Sequence, residues 1–301
     1  MPLTQQQLAD PELRSRISRL ELHARLVVEG VISGLHRSPY HGFSVEFAQH
    51  REYTPGDEIR TIDWRVLARS DRYYVKEFEE ETNLKAYLLL DASSSMDYAG
   101  ERRRHTKREY ASVVAAALAQ LMIQQRDAVG LAVFDEGVRS YLPPRSLASH
   151  YKQMLETMLA CEPRPKTNLA ATFHELADQV KRRGLIIVLS DLFGEVEDIL
   201  MGLRHFRHRK HEVIVFHVLD DDEIEFPFTD LTRFEGLERE PEVLVDPRGI
   251  RTEYQRQINL FCERLERGCR EMQIDLTRLN TKDDPAQQLA RYLASRLQRR
   301  G

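Results

Sequence analysis

The chain has 301 residues, of which 42% are apolar and 31% charged, with a formal net charge of -4. This length and apolar fraction suit one large domain or two smaller ones built around a sizeable core. The nearly balanced charge gives no overall attraction to nucleic acid or to an anionic membrane, although it leaves a local basic patch open.

Targeting and redox signals favour a soluble cytoplasmic protein. The polar N-terminus lacks the apolar segment of a signal peptide, and no stretch of ~18 apolar residues is available to span a bilayer. The three cysteines are sparse and odd in number, which is typical of a reducing compartment, and they form no zinc-binding pattern. They are expected to pack in the core.

Residues 1–84 are predicted to form an N-terminal helix and a small β subdomain. Apolar residues recur at helical spacing over 11–35, and strand-like segments lie near 43–47 and 73–78. Charged and aromatic residues are densely interleaved within 38–84. That mixture is typical of a salt-bridge network that holds a small subdomain together, and a binding face is the alternative.

Residues 85–301 are predicted to form the main domain, in which strands and helices alternate. The predicted strands are 85–90, 128–134, 138–142, 185–189, 213–219 and 274–279, and the predicted helices are about 102–125, 146–160, 169–183, 195–207, 253–272 and 285–299. Residues 220–252 are predicted to be an irregular insertion with a β pair near 231–235 and 242–245. Continuously apolar strands that alternate with helices indicate an α/β fold, a doubly wound and mostly parallel sheet with helices on both faces.

A buried apolar strand at the start of this domain ends abruptly in polar side chains. Asp91, Ser93 and Ser95 follow it at once, at the edge where open α/β sheets bind ligands. Thr167, before a helix, and Asp191, directly after a buried strand, are expected at the same edge. Two carboxylates and three hydroxyls are hard oxygen donors, so the sequence predicts a site for Mg²⁺ or a similar cation. Each of these side chains except Asp91 has the alternative role of capping a following helix.

Other potential ligands are interpreted as surface features. His205, His208 and His211 lie among arginines and a lysine, which favours a solvated basic helix end. Asp220–Asp222 is predicted to be an exposed turn, and Arg102–Arg104 to be a helix-start surface that contacts a partner.

The order Asp-x-Ser-x-Ser, Thr and Asp in successive loops resembles the metal-ion-dependent adhesion site of von Willebrand factor A domains. The block upstream of the strand resembles more specifically the prokaryotic family catalogued as domain of unknown function 58, in which such a block runs into a von Willebrand A-like domain. The matching positions are Ser38-Pro39, Gly42, Glu46-Phe47, Arg51-Glu52-Tyr53, Pro55-Gly56-Asp57, Arg60, Ile62-Asp63-Trp64 and Ala68-Arg69. The resemblance covers about residues 10–220 and implies a bacterial or archaeal origin. One departure is Leu192, where many adhesion sites have glycine, and it favours contact between Asp191 and the metal through water.

The predicted function is therefore a non-enzymatic protein-interaction module. Mg²⁺, or Mn²⁺ or Ca²⁺, would be held by Asp91, Ser93, Ser95, Thr167 and Asp191, and an acidic side chain of a partner would complete the coordination. The family resemblance implies that the partner is a MoxR-type AAA+ ATPase or its client, because members are often encoded beside such ATPases and are thought to act with them in chaperone-like assembly or maturation.

Two alternatives remain open. A Mg²⁺-dependent phosphatase of the haloacid dehalogenase type would use Asp91 as nucleophile, Ser190 to bind phosphate and Asp220-Asp221 to hold the metal. That mechanism needs a second acid at position 93, where the sequence has Ser93. The other alternative is a purely structural domain whose site binds no metal.

Overall fold

The structure is a computed structural model that describes residues 11–37, 50–52, 74–76, 84–100, 105–162, 169–237 and 241–300. The helices are α1 Pro11–Arg37, α2 Lys107–Gln124, α3 Ala148–Ala160, α4 Leu169–Gln179, α5 Val196–His208, α6 Asp221–Glu225, α7 Pro247–Glu271 and α8 Pro285–Arg300. The strands are β1 His50–Glu52, β2 Tyr74–Lys76, β3 Lys85–Asp91, β4 Ala128–Phe134, β5 Val138–Arg145, β6 Leu185–Ser190, β7 Glu212–Leu219, β8 Thr232–Phe234, β9 Val243–Val245 and β10 Asp275–Asn280.

The chain divides into two compact units. The larger contains α1 and everything from residue 84 onward, and the smaller is the segment 38–83, of which the structure describes the antiparallel pair β1–β2. The predicted strand near 43–47 lies outside the described residues. Helix α1, which the sequence groups with that segment, instead packs on α2 and α8 of the larger unit. The reason is its apolar face, from Ile17 to Val31, which is buried in the core of that unit.

The main sheet of the larger unit has the strand order β10-β7-β6-β3-β4-β5 in the described part of the chain. All neighbouring strands are parallel except β5, which returns antiparallel to β4 as a hairpin. The predicted α/β class with a mostly parallel sheet is confirmed. Because the chain leaves β3 toward β4 and later crosses back to β6 on its other side, the winding direction reverses between β3 and β6.

Both faces of this sheet are covered, which explains why its strands are apolar at nearly every position. Leu88 and Leu90 of β3 face the cluster that contains α1, α2 and α8, whereas Tyr87 and Leu89 face the cluster that contains α4, α5 and α7. All six residues of β6 are buried. Among the described residues, no helix is long and apolar enough to cross a membrane.

Two helix starts differ from the sequence-based ones for local reasons. Helix α2 begins at Lys107 rather than near 102, because Thr106 and Glu109 form a capping box. Helix α7 begins at Pro247 rather than at 253, with Asp246 as a cap that accepts from the N–H of Arg248.

Gly184 is not the end of the helix before it, because α4 already ends at Gln179. Instead, a Cβ at position 184 would collide with the carbonyl oxygen of Lys85, at the start of β3. The glycine is therefore explained by the close approach of two chain segments. The insertion after β7 contains α6 and the predicted β pair, β8 with β9.

Candidate functional site

The predicted site lies where the winding of the sheet reverses. Asp91 is the last residue of β3, and Ser190 and Asp191 stand at the end of β6, the strand hydrogen-bonded to β3. The loops that follow these two strands begin side by side, at the edge where α/β sheets bind ligands.

Asp91 is held rigidly by both of its oxygens. It is 1% exposed. Its Oδ1 accepts from the backbone N–H of Ser93 (2.9 Å), and its Oδ2 accepts from the hydroxyl of Ser190 (2.5 Å). The hydroxyl of Ser93 also favours the charged form of this carboxylate and so lowers its pKa. The carboxylate is thus oriented by Ser93, in the loop after its own strand, and by Ser190, at the end of β6.

The serine hydroxyls connect Asp91 to Asp191. Ser93 Oγ lies 3.0 Å from Ser95 Oγ, and the Ser95 hydroxyl is close enough to the carboxylate of Asp191 to contribute to its lowered pKa. The structure therefore brings four of the five predicted ligands into one buried chain, Asp91–Ser93–Ser95–Asp191. Thr167 lies outside the described residues.

The capping alternatives do not account for two of these side chains. Ser93 precedes the short 3-10 helix Ser94–Asp97, but its side chain makes no capping hydrogen bond. Asp191 accepts from the N–H of Phe193 (3.2 Å), while the N-cap position of α5 is occupied by Glu195. Both side chains face the site instead.

The donor set fits a hard cation in its chemistry and in the spacing of its hydroxyls. Mg²⁺ binds oxygens at about 2.1 Å in near-octahedral geometry, so adjacent ligands stand about 3.0 Å apart. The two serine oxygens have this separation. Within the described ranges no three His, Cys, Asp or Glu side chains converge on a possible metal position. A cation at this edge would therefore depend on hydroxyl ligands, which suit Mg²⁺ better than zinc.

Lys107 is a member of this site that the sequence did not reveal. It is the first residue of α2 and is 1% exposed. Its Nζ donates to Asp191 Oδ2 (2.8 Å) and to Glu223 Oε1 (2.5 Å). A cation in the first turn opposes the helix dipole. That conflict was a signal for Lys107 as much as for Arg102–Arg104, which lies outside the described residues.

The two carboxylates have opposite pKa shifts. Burial, and then the charge of Asp191, raises the pKa of Asp91 to about 7 against the opposing hydrogen bonds from Ser190 and Ser93. Burial also disfavours the charged form of Asp191, but the ammonium group of Lys107 outweighs it and holds the pKa of Asp191 below its usual value. Asp191 is thus an ionised partner of Lys107, whereas Asp91 carries its charge at a cost that a bound cation would offset.

Leu192 has the backbone conformation that glycine adopts most easily. Its φ is 52°, in the left-handed region, and its side chain is fully buried. Its N–H donates to Ser190 Oγ (2.8 Å), and Nε2 of His217 donates to the carbonyl oxygen of Asp191 (2.9 Å). Although this position carries leucine where many adhesion sites have glycine, its backbone still adopts the left-handed conformation that glycine favours.

The acidic run after β7 is not an exposed turn. Asp220 is fully buried and is the N-cap residue of α6. Its Oδ1 accepts from the N–H of Asp222 (3.0 Å) and its Oδ2 from the hydroxyl of Thr281 (2.6 Å). Glu223 completes a capping box by accepting from the N–H of Asp220 (2.8 Å). Asp220 is buried and Asp221 is half-buried because a distant segment, residues 280–282, hydrogen-bonds to both of them.

The histidine group is only partly the solvated helix end that was predicted. His205 and His208 do lie in the last turn of α5. His211 is buried, and its Nδ1 accepts from the N–H of Gly184 (3.2 Å). The three cysteines are free and buried, as predicted.

Comparison with known proteins places this chain among prokaryotic relatives. It is 28% identical over 297 residues to "Uncharacterized protein Rv1480" of Mycobacterium tuberculosis, an alignment that covers 97% of this chain and 92% of that protein. It is 31% identical over 127 residues to "Uncharacterized protein YeaD" of Bacillus subtilis, which covers 42% of this chain and 29% of that protein. Among solved structures, the conserved hypothetical protein BatB from Bacteroides thetaiotaomicron is similar with a TM-score of 0.47 and 15% identity, over 71% of this chain and 99% of that one. The model of the family described as "Protein of unknown function DUF58" matches residues 49–260, more than half of the chain, and the chain therefore belongs to that family.

Proposed function

We propose that this chain is a non-enzymatic protein-interaction module whose edge site binds Mg²⁺ and, through it, an acidic side chain of a partner protein. The observation that carries the proposal is the buried chain of oxygen donors from Asp91 through Ser93 and Ser95 to Asp191. These residues come from the carboxyl ends of two adjacent strands and the loops that follow them, and hydrogen bonds from Ser190 and from the Ser93 N–H orient the Asp91 carboxylate.

The proposed ligands are Asp91, Ser93 and Ser95, with Asp191 acting directly or through water and Thr167 completing the set. When bound, Mg²⁺ would supply a Lewis acid that keeps open positions for outside oxygens. The protein supplies the orientation: Ser190 and the Ser93 N–H fix the Asp91 carboxylate. Mn²⁺ and Ca²⁺ are the other cations that such oxygens accept.

The class of domain and the identity of the partner are part of the same proposal. A parallel sheet covered on both faces, with Asp-x-Ser-x-Ser after β3, supports a von Willebrand factor A-like domain. Membership of the DUF58 family supports a MoxR-type AAA+ ATPase, or its client, as the partner, through the resemblance of the block at residues 38–69.

A phosphatase of the haloacid dehalogenase type is less well supported. Position 93 carries a hydroxyl rather than the acid that the mechanism needs. The hydroxyl of Ser190, its proposed phosphate ligand, donates to Asp91. Asp220, its proposed metal ligand, caps α6 with one oxygen and accepts from Thr281 with the other.

The test is co-purification of the full chain with the MoxR-type ATPase of its native host, in Mg²⁺ and in EDTA. We expect capture in Mg²⁺ to be lost in EDTA and in Asp91→Asn. The matched control is Asp135→Asn, which changes a buried aspartate at the end of the neighbouring strand β4 that is paired with Arg139 (2.6 Å). Equal capture by wild type and Asp91→Asn would rule the proposal out.

A further inference from the structure

Lys107 places a permanent cation against one of the two carboxylates of the proposed metal site. Its side chain is 2% exposed, and its Nζ lies 2.8 Å from Asp191 Oδ2. The other oxygen of Asp191 accepts from the N–H of Phe193. Lys107 also reaches Glu223 on α6, at 2.5 Å, and its Nζ stands 5.9 Å from the centre of the Tyr98 ring. The ammonium group is therefore held from several sides and does not depend on Asp191 alone.

We propose that Lys107 is a specificity-determining residue of this site, a built-in cation that neutralises Asp191 and so weakens the binding of Mg²⁺ until a partner supplies a carboxylate. This inference rests on the proposed function. It adds Lys107, which is not part of the adhesion-site pattern, to the proposed site. It also explains why the bound ion would need a carboxylate from a partner.

The charges around the donor set support it. Among the described residues, Asp91 accepts hydrogen bonds from a hydroxyl and a backbone N–H group, whereas Asp191 accepts one from an ammonium group. A divalent cation at the serine hydroxyls would lie near the carboxylate of Asp91, which has no cationic partner among the described residues, and near the two neutral serine oxygens. It would also lie near the positive charge of Lys107. Lys107 offsets the charge of Asp191, although it also contacts Glu223. Of the two proposed carboxylate ligands only Asp91 then balances the ion, and an outside carboxylate would add a second negative charge beside it.

A simple structural ion pair is the competing explanation, and it predicts the opposite effect. If Lys107 only holds α2 to the loops, its removal disturbs the donors and metal binding stays equal or becomes weaker. If Lys107 competes electrostatically with the metal, its removal makes binding tighter. The sign of the change in affinity therefore separates the two roles.

The experiment is calorimetric titration of Mg²⁺ into the full chain, comparing wild type with Lys107→Met, which keeps the length of the side chain and removes the charge. We expect Mg²⁺ to bind at least about tenfold more tightly in Lys107→Met, since a unit charge within a few ångströms of the ion is lost. Replacing chloride by acetate at constant ionic strength should tighten Mg²⁺ binding in wild type more than in this variant.

Two further variants make the comparison secure. Arg108→Met removes a positive charge one residue along, whose partner is Asp97 (3.0 Å), and should bring no gain in affinity. Because Lys107→Met leaves Asp191 and Glu223 as buried carboxylates without their counter-ion, it is also made in a Glu223→Gln background. There the double variant should bind Mg²⁺ more tightly than Glu223→Gln alone, by the same factor of at least about ten.

Tighter binding without Lys107, with Arg108→Met unchanged, supports the inference. Equal or weaker binding in both Lys107 variants, while wild type binds Mg²⁺, overturns it and leaves the proposed function standing. Absence of Mg²⁺ binding in wild type and in every variant overturns the proposed function and the inference with it.

Discussion

Replacing Asp91 by asparagine should stabilise the metal-free protein at neutral and higher pH, although it removes the central residue of the site. Asparagine has nearly the same shape and carries no charge. In the folded chain the carboxylate is buried beside Asp191, and its pKa is raised from 3.8 to about 7. Ionised Asp91 is therefore a source of instability that a cation at the site would relieve.

The magnitude follows from the pKa. A rise from 3.8 to about 7 corresponds to an upper bound of about 4 kcal/mol, at roughly 1.4 kcal/mol per pH unit. Asparagine still accepts from the N–H of Ser93 but offers no acceptor to the hydroxyl of Ser190. The loss of that hydrogen bond should lower the stability of the variant by about 1–2 kcal/mol. We therefore expect Asp91→Asn to be more stable than wild type by about 2 kcal/mol at pH 8 in EDTA.

The pH dependence has a defined sign. Because the folded pKa of Asp91 lies above the unfolded one, protonation favours the folded state. The contribution of the protonated group to stability is complete below the unfolded pKa of 3.8 and is lost as the pH rises to about 7. The advantage of Asp91→Asn over wild type should thus grow between those two pH values and then level off.

The assay is urea unfolding of both proteins in EDTA across this pH range, repeated with Mg²⁺. Mg²⁺ should stabilise wild type and leave Asp91→Asn unchanged, since binding to the native state alone adds stability. A metal-free Asp91→Asn that is less stable than wild type at pH 8 would refute the electrostatic reasoning.

Two further predictions concern backbone positions and are tested by the same unfolding assay. Leu192→Ala and Leu192→Gly both remove a fully buried side chain and should destabilise the protein by about 2–5 kcal/mol. Because φ at this position is 52°, the glycine variant should be at least as stable as the alanine variant. A glycine variant that is less stable than the alanine variant by about 1 kcal/mol would contradict the left-handed backbone at this position. Gly184→Ala should destabilise by about 2 kcal/mol or more through its collision with the carbonyl of Lys85, whereas Gly249→Ala, where nothing lies within 4 Å of the added methyl, should be neutral or slightly stabilising. Equal stability of the two glycine variants would contradict the close approach.

The strand ends that carry the site could be predicted because local sequence determines them. An apolar run that stops at Asp91, and another that stops at Ser190, mark the carboxyl edge of a parallel sheet without knowledge of what lies beside it. The sequence also predicted the hairpin after β4 and the β pair in the insertion, since each is a short-range pairing between segments separated by turn residues.

The features that were missed depend on contacts between distant segments. Lys107 lies 84 residues from Asp191 and 116 from Glu223 along the chain, so no local pattern shows that its ammonium is buried. Asp220 looks like part of an exposed acidic turn until Thr281, 61 residues away, covers it. Helix α1 precedes a different unit in the sequence but packs against α8 at the far end of the chain.

The most direct test of the proposed metal site is calorimetric titration of Mg²⁺ into the full chain and into Ser95→Ala, with Ser140→Ala on β5 as the matched control. The hydroxyl of Ser95 lies 3.0 Å from that of Ser93 and contributes to the lowered pKa of Asp191. Binding of one Mg²⁺ per chain to wild type and to Ser140→Ala, and its loss in Ser95→Ala, is the result we predict. Unchanged binding in Ser95→Ala, or no binding by wild type, would contradict a cation held by this chain of oxygens.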